Sequence, residues 1–222
     1  MDLSSHAPDV EYWHSRGYLP HFQSPHVVQH VVFHLADSLP QHRRLQLRTG
    51  ATGSPVSHRN IGSSQPWQDL LDRGLGCCLL RLPIAAQALH QTLHTFSGTR
   101  YDLHAWVIMP NHVHVLFRPL PPWTLARCVA SWKAYTGRRL SQIADAVAVE
   151  SRAGGARRVW AREYWDRFIR DDEHGRSVLR YIHMNPVKAG LVERPEDWEW
   201  SSARLWAAQG TAGLQPGGPS IR

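Results

Sequence analysis

Two histidines, His112 and His114, have a spacing that suits metal binding. They lie in the run PNHVHVLF, which is rich in residues that favour strands. Side chains two apart on a strand point to the same face, with Cα atoms about 6.5 Å apart, so two imidazoles can converge on one cation. A chain with 15 His residues also contains such pairs by chance, so spacing alone leaves a packing role open.

A second pair, Tyr181 and Asn185, lies in the run VLRYIHMNPVKAGLV. Residues four apart on a helix share one face, about 6 Å apart along the axis. A phenolate can attack phosphorus, but its ordinary pKa of about 10 requires activation by a cation or a base. An amide oxygen suits Mg²⁺ or Mn²⁺, and imidazole also suits Mn²⁺. The alternative is that Tyr181 packs in the core and Asn185 is a polar helix end.

Six tyrosines could supply a nucleophile, but only Tyr135 and Tyr181 fall in segments predicted to be helical. Tyr135 is followed four residues later by Arg139, which cannot be a metal ligand. Tyr181 is therefore the predicted nucleophile. His183 projects away from the Tyr181 face, so we expect it to have a packing or solvent role.

Basic and aromatic residues alternate shortly before this helix. Such a segment can follow a phosphate backbone while its rings stack on unpaired bases, each stack contributing about 1 to 3 kcal/mol. A solvated basic face beside core aromatics fits the composition equally well. The predicted DNA-contacting residues are Arg157, Arg158, Trp160, Arg162, Tyr164, Trp165, Arg167 and Arg170.

The elements that must position these residues follow from hydrophobic periodicity and turn signals. The first four are a strand at His26 to Leu35, a helix at Pro83 to Phe96, and a hairpin formed by Tyr101 to Met109 and Val113 to Phe117. Two more helices follow, from Thr124, its cap, to about Ala146, and from about Asp172 to Asn185, where Pro186 should stop it. This order predicts an α+β fold, with an antiparallel sheet covered by helices on one face.

The length of 222 residues suits a single domain with one core. We expect an N-terminal arm at residues 1–25 and a folded domain at residues 26–206. Residues 48–66, rich in Gly, Ser, Thr and Pro, predict a flexible loop or insertion, and residues 207–222 a disordered tail.

The charge balance favours an anionic partner. The formal net charge is +7 and the pI about 9.8, which is typical of proteins that bind nucleic acid, although many basic proteins bind none. No apolar run approaches the roughly 20 residues that cross a membrane, and no hydrophobic signal core begins the chain. We therefore expect a soluble, cytoplasmic protein with no membrane partner.

Three runs, read together, resemble the REP-associated tyrosine transposases, which belong to the single-tyrosine HUH transposase superfamily of IS200-like enzymes. They are MPNHVHVLF, REYWDRFIRDDEH, and YIHMNPVKAGL followed by PEDWEWSSA. The upstream runs RGYLPHF, FHLADSLP and LDRGLGC agree with it, so the resemblance covers roughly Arg16 to Trp206.

The resemblance implies a ferredoxin-like sheet that carries the HxH pair, with the tyrosine helix packed beside it. By matching position, His112 and His114 bind Mg²⁺ or Mn²⁺, Asn185 completes the metal site, and Tyr181 is the nucleophile. Lys188, in the same motif, joins the predicted DNA contacts. The family's enzymes act on single-stranded DNA, here expected as repeat hairpins, through a 5′-phosphotyrosine intermediate. The active unit is expected to be a monomer or a homodimer.

Two other functions stay open. A domesticated relative could bind DNA hairpins without cutting them, and a metal hydrolase could use water in place of Tyr181 as the nucleophile. The presence of all four chemical residues favours the transposase-like enzyme over the binding protein.

Overall fold

The computed structural model describes residues 12–15, 20–24, 27–39, 70–147 and 158–208. Two short strands come first, β1 (Tyr12–Ser15) and β2 (Pro20–Gln23), and they pair antiparallel. The arm expected over residues 1–25 thus contains a β-hairpin within its described part.

A four-stranded antiparallel sheet forms the centre of the molecule. Its strands are β3 (Gln29–His34), β4 (Tyr101–Ile108), β5 (His112–Pro119) and β6 (Trp165–Phe168), in the order β4-β5-β3-β6. Helix α1 (Pro83–Thr95) connects β3 to β4, and helix α2 (Leu125–Ala146) connects β5 to β6. This βαββαβ order is ferredoxin-like, so the predicted α+β class with an antiparallel sheet is confirmed.

The alternation of side chains along β5 divides the sheet into two faces. Val113, Val115 and Phe117 join the core that includes Trp132 of α2, whereas Leu116 joins the core of the opposite face. Helices α1 and α2 cover the first face, as predicted. Helix α3 (Asp172–Lys188) packs on the second, where its apolar residues meet β4 and β5. The prediction that helices cover only one face of the sheet was therefore wrong for this helix. The second face is also the one to which the β5 histidines point.

Two helix ends differ in how well the sequence predicted them. Thr124 caps α2 as expected, because its side chain accepts a hydrogen bond from the backbone N–H of Arg127. The prediction that Pro186 stops α3 was wrong, since the helix continues to Lys188. A proline in the last turn removes one backbone hydrogen bond without blocking the two residues that follow. The helix ends where Gly190 adopts a φ of 67°, which favours glycine.

Strand β6 was not predicted. Its sequence, WDRF, has two charged residues among four, so it lacks the apolar alternation by which a strand is recognised. It is an edge strand that pairs only with β3 in the described sheet, where charged side chains can reach solvent.

The domain predictions fall partly outside the described residues. The expected loop at 48–66 lies wholly outside them. Helix α4 (Ala203–Ala208) includes the first two residues of the segment expected to be a disordered tail, and residues 209–222 are not described. Within the described ranges, every helix is too short or too polar to span a lipid bilayer.

Candidate active site

His112 and His114 lie on the same face of β5, beneath α3. Both side chains are fully buried, and their ring centroids are 4.9 Å apart. This is the convergence that the HxH spacing predicts, since alternate residues of a strand share a face.

Helix α3 brings Tyr181 against this pair. The edge of the Tyr181 ring meets His114 with centroids 5.5 Å apart. The side chain is half-buried, so the phenol lies at the boundary between the buried histidines and solvent. The structure therefore brings together the predicted nucleophile and the two predicted histidine ligands, which are 67 residues or more apart in the chain.

Asn185 is on the same helix, one turn beyond Tyr181, and is fully buried. Its amide Nδ2 donates to the backbone carbonyl of Tyr181 at 2.9 Å. The amide oxygen, Oδ1, has no hydrogen-bond partner within the described part of the chain. Burial of a carbonyl oxygen without a partner is costly, and a bound cation would remove that cost.

Asn111 determines the tautomer of His112. Its amide Nδ2 donates to the backbone carbonyl of Leu75 at 3.0 Å, so its Oδ1 faces the imidazole and must accept. The His112 Nδ1 atom lies 2.7 Å from that oxygen and therefore carries the proton. The lone pair of His112 is then on Nε2, and a ligating histidine is held by the same kind of outer hydrogen bond.

Asp72 lies on the other side of His112. Its Oδ1 is 3.4 Å from the His112 Nε2 atom. In the tautomer set by Asn111, both atoms are acceptors, so they repel each other unless a positive charge lies between them. A divalent cation at this position would bring Asp72 into or beside its ligand set.

The segment that follows Asp72 is held against the residues just after β3. The backbone N–H of Cys77 donates to Asp37 Oδ2 at 2.8 Å. Gly76 has a φ of 88°, and a Cβ there would lie 2.8 Å from the backbone oxygen of Asp37. Only glycine permits both this conformation and this approach. The run LDRGLGC thus positions Asp72, a residue that sequence reasoning did not select.

His30 on β3 was also missed. Its Nε2 atom is 3.0 Å from His114 Nδ1, and the two rings are stacked with centroids 5.3 Å apart. When His114 Nδ1 carries the shared proton, the lone pair of His114 is on Nε2. The alternation in the predicted strand would have placed His30 and Val32 on one face, but nothing in the sequence indicated which face meets the HxH pair.

Burial keeps these imidazoles neutral. It lowers the pKa of both His30 and His112 to about 3, with smaller contributions from neighbouring cationic groups. Burial, together with its histidine neighbours and Lys188, holds the pKa of His114 well below its usual value. Neutral imidazole is the form that binds metal, so no proton needs to leave these rings before a cation enters.

The residues present fit a small divalent cation. Three buried atoms that can donate a lone pair lack a hydrogen-bond partner among the described residues: His112 Nε2, His114 Nε2 and Asn185 Oδ1. No group of three His, Cys, Asp or Glu side chains in the described ranges is placed to bind a metal by itself. The donor set therefore depends on the amide oxygen, which suits Mg²⁺ or Mn²⁺.

Lys188 lies one turn beyond Asn185, and its Nζ atom is 4.7 Å from the centroid of the Tyr181 ring. Its side chain is exposed. A cation in this position stabilises negative charge that develops on the phenol oxygen or on a phosphate beside it. Lys188 therefore lies beside Tyr181, the predicted nucleophile.

The arginines predicted to contact DNA are mostly accessible. Arg158 and Arg170 are exposed, and the Arg162 side chain is 77% exposed. Arg167 is half-buried on β6, where burial and the nearby Arg170 lower its pKa. Arg157 lies outside the described residues.

The aromatic residues of the same segment are buried or packed, so their rings expose little surface on which a base could stack. Trp160 is 5% exposed, packs edge-on against Phe33, and donates from Nε1 to Thr136 Oγ1 at 2.9 Å. Trp165 is buried edge-on against His30. The base-stacking role predicted for these two residues does not agree with their burial, because a stacking ring must expose a face.

Tyr164, the third predicted stacking residue, is half-buried. One face of its ring stacks on His21, with centroids 4.3 Å apart. That face is occupied by the β1–β2 hairpin, so the ring helps to attach the hairpin to β6. No sequence pattern separates such packing from contact with a base.

The match to a known family is confined to the part of the chain that carries the site. The profile described as "Transposase IS200 like" matches residues 84–185, which begin in α1 and end at Asn185. The match contains His112, His114, Tyr181 and Asn185. Residues 84–185 are similar to IS200-like transposases. The matched residues include all of β5, which carries the two histidines, and most of α3, which carries the tyrosine.

Two curated proteins are similar to about half of this chain. The REP-associated tyrosine transposase of Escherichia coli (strain K12) is 27% identical over 110 residues, which are 50% of this chain and 59% of that protein. A candidate REP-associated tyrosine transposase of Haemophilus influenzae is 32% identical over 103 residues, 46% of this chain and 58% of its own. The chain thus spans about three fifths of the length of each.

Two solved structures are also similar. One is a REP-associated tyrosine transposase bound to a REP hairpin, with 19% identity, a TM-score of 0.47, and coverage of 91% of this chain and 87% of that one. The other is a candidate transposase from Deinococcus radiodurans, with 16% identity, a TM-score of 0.40, and coverage of 78% and 96%.

Proposed function

We propose that this protein cuts and rejoins single-stranded DNA at repeat hairpins, with Tyr181 as the nucleophile and a divalent metal ion at the HxH pair. The observation that carries the proposal is the contact between the Tyr181 ring and His114. At this face the Nε2 atoms of His112 and His114 both lack a hydrogen-bond partner among the described residues. Three buried atoms with free lone pairs and no hydrogen-bond partner among the described residues are costly in a packing role, and a bound cation would remove that cost.

The proposed step is a transesterification. The Tyr181 oxygen forms a bond to the scissile phosphorus as its proton passes to solvent, and the bond from phosphorus to the 3′ oxygen breaks. The departing oxygen takes a proton and becomes a free 3′-hydroxyl. The phosphotyrosine link retains one phosphodiester bond, so attack by another 3′-hydroxyl rejoins DNA without an external energy source.

His112, His114 and Asn185 would hold the metal ion, with Asp72 beside it. When bound, Mg²⁺ or Mn²⁺ supplies positive charge that polarises the scissile phosphate. The chain's own groups have separate roles: Asn111 and His30 orient the two imidazoles, and Lys188 places a further positive charge beside the phenol. Burial excludes water from the histidines, which favours attack by the tyrosine over attack by water.

The substrate class follows from charge and from the relatives. The formal charge of +7 and the exposed arginines near β6 favour a polyanion. The curated relatives are named REP-associated tyrosine transposases, so we propose a repeat hairpin with a single-stranded flank as substrate. The type of enzyme, HUH, and its location in the cytoplasm with the DNA belong to the same proposal.

Trapping a covalent adduct tests this function. The protein is incubated with 5′- or 3′-labelled single-stranded hairpins and Mn²⁺, then denatured and separated by size. We expect a protein–DNA adduct that survives denaturation, together with a free 3′-hydroxyl product. Cleavage without an adduct would indicate a hydrolase that uses water, and binding without cleavage would indicate a domesticated DNA-binding protein.

A further inference from the structure

A cavity of about 290 Å³ lies on the side of α3 away from Tyr181. Helix α3 forms one wall with Arg176, Arg180, His183 and Met184, and the others come from the turn Pro195–Asp197 and from α4. With 100° between successive residues, this helix face and the Tyr181 face are on nearly opposite sides. The cavity is therefore separate from the histidine site.

Trp206 supplies a fixed aromatic wall. Its indole Nε1 donates to the backbone carbonyl of His104 at 3.2 Å, and the ring is only half-buried. His183 is 6.3 Å away between ring centroids and is held by Ser202 Oγ at 2.9 Å. Burial lowers the pKa of His183 to about 4, so it lines the cavity as a neutral ring at physiological pH. Two oriented rings in a partly open cavity favour a flat, apolar-faced ligand.

Charge at the rim favours an anionic ligand. Arg176 and Arg180 are both exposed and lie one turn apart on α3, on the face that borders the cavity. Among the described residues, Glu196 is the one carboxylate of the lining, and it can accept hydrogen bonds from amino or imino groups of a base. The features of the cavity match the parts of a nucleotide. The arginines at the rim suit the phosphate, the aromatic rings inside suit the base, and the carboxylate suits the polar edge of the base.

We propose that this cavity binds one unpaired nucleotide of the single-stranded DNA, with its base against Trp206 and its phosphate at Arg176 and Arg180. The proposal rests on the proposed function and adds to it a second, non-catalytic contact with the strand. A volume of about 290 Å³ is at the lower end for ligand pockets, which suits a single base rather than a dinucleotide.

The position of the cavity relates the bound base to the cleavage site. A helix with its side chains is about 10 to 12 Å across, so a strand held at Tyr181 reaches the cavity by crossing only α3. Arg180 is the chain neighbour of Tyr181 and lines the cavity, so the two sites are joined through one helix. The cavity therefore selects a base a few nucleotides from the scissile phosphate and fixes where the strand is cut.

The test combines protein variants with abasic substitutions. A labelled hairpin carries a single-stranded flank in which each base in turn is replaced by an abasic site, and its binding is measured by fluorescence anisotropy. We expect one position at which the abasic site weakens binding about 5- to 100-fold, the range for loss of one base–aromatic stack. Trp206→Ala should weaken binding of the intact strand by a similar factor, but should have no further effect on the strand that is abasic at that position.

Matched variants separate this role from folding and from bulk charge. Trp206→Phe keeps an aromatic wall and should recover most of the affinity. Arg176→Gln with Arg180→Gln should weaken binding and reduce its salt dependence more than Arg138→Gln with Arg139→Gln, which removes the same charge from exposed positions on α2. Circular dichroism and thermal unfolding confirm that each variant is folded.

The outcomes also distinguish this proposal from the proposed function, because binding does not require cleavage. Additive effects of Trp206→Ala and of every abasic site would overturn the cavity proposal, as would the absence of any binding to single-stranded DNA. Non-additive binding in a protein that forms no adduct would support the cavity and overturn the cleavage reaction. A covalent adduct together with purely additive binding effects would support the cleavage reaction and overturn the cavity proposal.

Discussion

The Nδ1 atom of His112 lies 2.7 Å from the Oδ1 atom of Asn111, its neighbour in the chain. This contact puts the lone pair of His112 on Nε2, the atom that lies 3.4 Å from Asp72 Oδ1. It connects the turn between β4 and β5 directly to the chemistry of the site, because the turn residue fixes which nitrogen of the histidine can bind a cation.

Asn111 should therefore act as a positioning residue for the metal. Asn111→Ala is expected to weaken Mn²⁺ binding about 10- to 100-fold, the usual effect of removing an outer hydrogen bond to a ligating histidine. Titration calorimetry measures the affinity, and adduct formation should recover at high Mn²⁺. Asn111→Asp keeps the oxygen that accepts from His112, so this variant should lose much less Mn²⁺ affinity than Asn111→Ala. Equal losses in both variants would assign the effect to the lost hydrogen bond to Leu75.

Tyr181→Phe removes only the attacking oxygen. We expect no covalent adduct and no cleavage, while hairpin affinity stays within roughly a factor of ten, the most that one neutral hydrogen bond contributes. Adduct formation and binding are measured on the same labelled hairpin. Tyr135→Phe, at an exposed position on α2, is the matched control and should cleave normally. Cleavage by Tyr181→Phe that is lost in Tyr135→Phe would move the nucleophile to α2.

His112→Ala and His114→Ala should each lose metal-dependent cleavage, since a site with so few protein donors cannot spare one. Mn²⁺ affinity is expected to fall by more than about 100-fold, beyond the loss for an outer-shell group. The thermal shift that Mn²⁺ produces in the wild-type protein should disappear as well. His90→Ala changes a histidine of α1 outside the site and should keep both responses. An unchanged Mn²⁺ dependence in the two site variants would make the HxH pair structural.

The sequence predicted those parts of the site whose geometry is determined by local spacing along the chain. The HxH pair must share a face of any strand, and Tyr181 and Asn185 must share a face of any helix. Sequence could not show that Asp72, 40 residues before His112, reaches the same histidine, because only the docking of the LDRGLGC loop on Asp37 brings it there.

The basic segment shows the opposite limit. The alternation of charged and aromatic residues is compatible with a DNA-binding surface and with an edge strand, because both structures expose cations and both contain aromatic rings. Tertiary packing decides between them: Trp160 is enclosed by Phe33 and Thr136, and Asp166 of β6 pairs with His21 of β2. These partners are more than 20 residues away in the chain, so no local pattern reports them.

The exposed arginines of this segment are expected to contribute electrostatic affinity. If Arg162 and Arg167 contact phosphates, the slope of log K against log salt on a single strand should fall by about 0.7 for each arginine removed. Binding of a hairpin and of a blunt duplex of equal length is measured over a salt series, for the wild type and for Arg162→Gln with Arg167→Gln. The control is Arg138→Gln with Arg139→Gln on α2. We expect the hairpin to bind more tightly, and equal slopes for the two double variants would place the DNA path elsewhere.

The buried His183 should make stability depend on pH. Its pKa is lowered to about 4 by burial, whereas in the unfolded chain it has the ordinary value of about 6.5. Between these values the unfolded chain takes up a proton that the folded protein excludes, so the free energy of unfolding falls as pH falls from about 6.5 toward 4. For His183, which is partly accessible, the loss of unfolding free energy is about 1 to 3 kcal/mol at the acidic end of this range.

The variant His183→Gln cannot titrate at this position, so its unfolding free energy should fall less steeply between pH 6.5 and 4. His30, His112 and His114 maintain part of the slope in the variant. Urea unfolding at a series of pH values, with a chelator present so that metal release does not contribute, measures the difference. Ser202→Ala removes the hydrogen-bond partner but keeps the imidazole, and it should lower stability while leaving the steeper slope in place. Parallel pH curves for His183→Gln and the wild type would show that His183 is protonated as readily in the folded protein as in the unfolded chain.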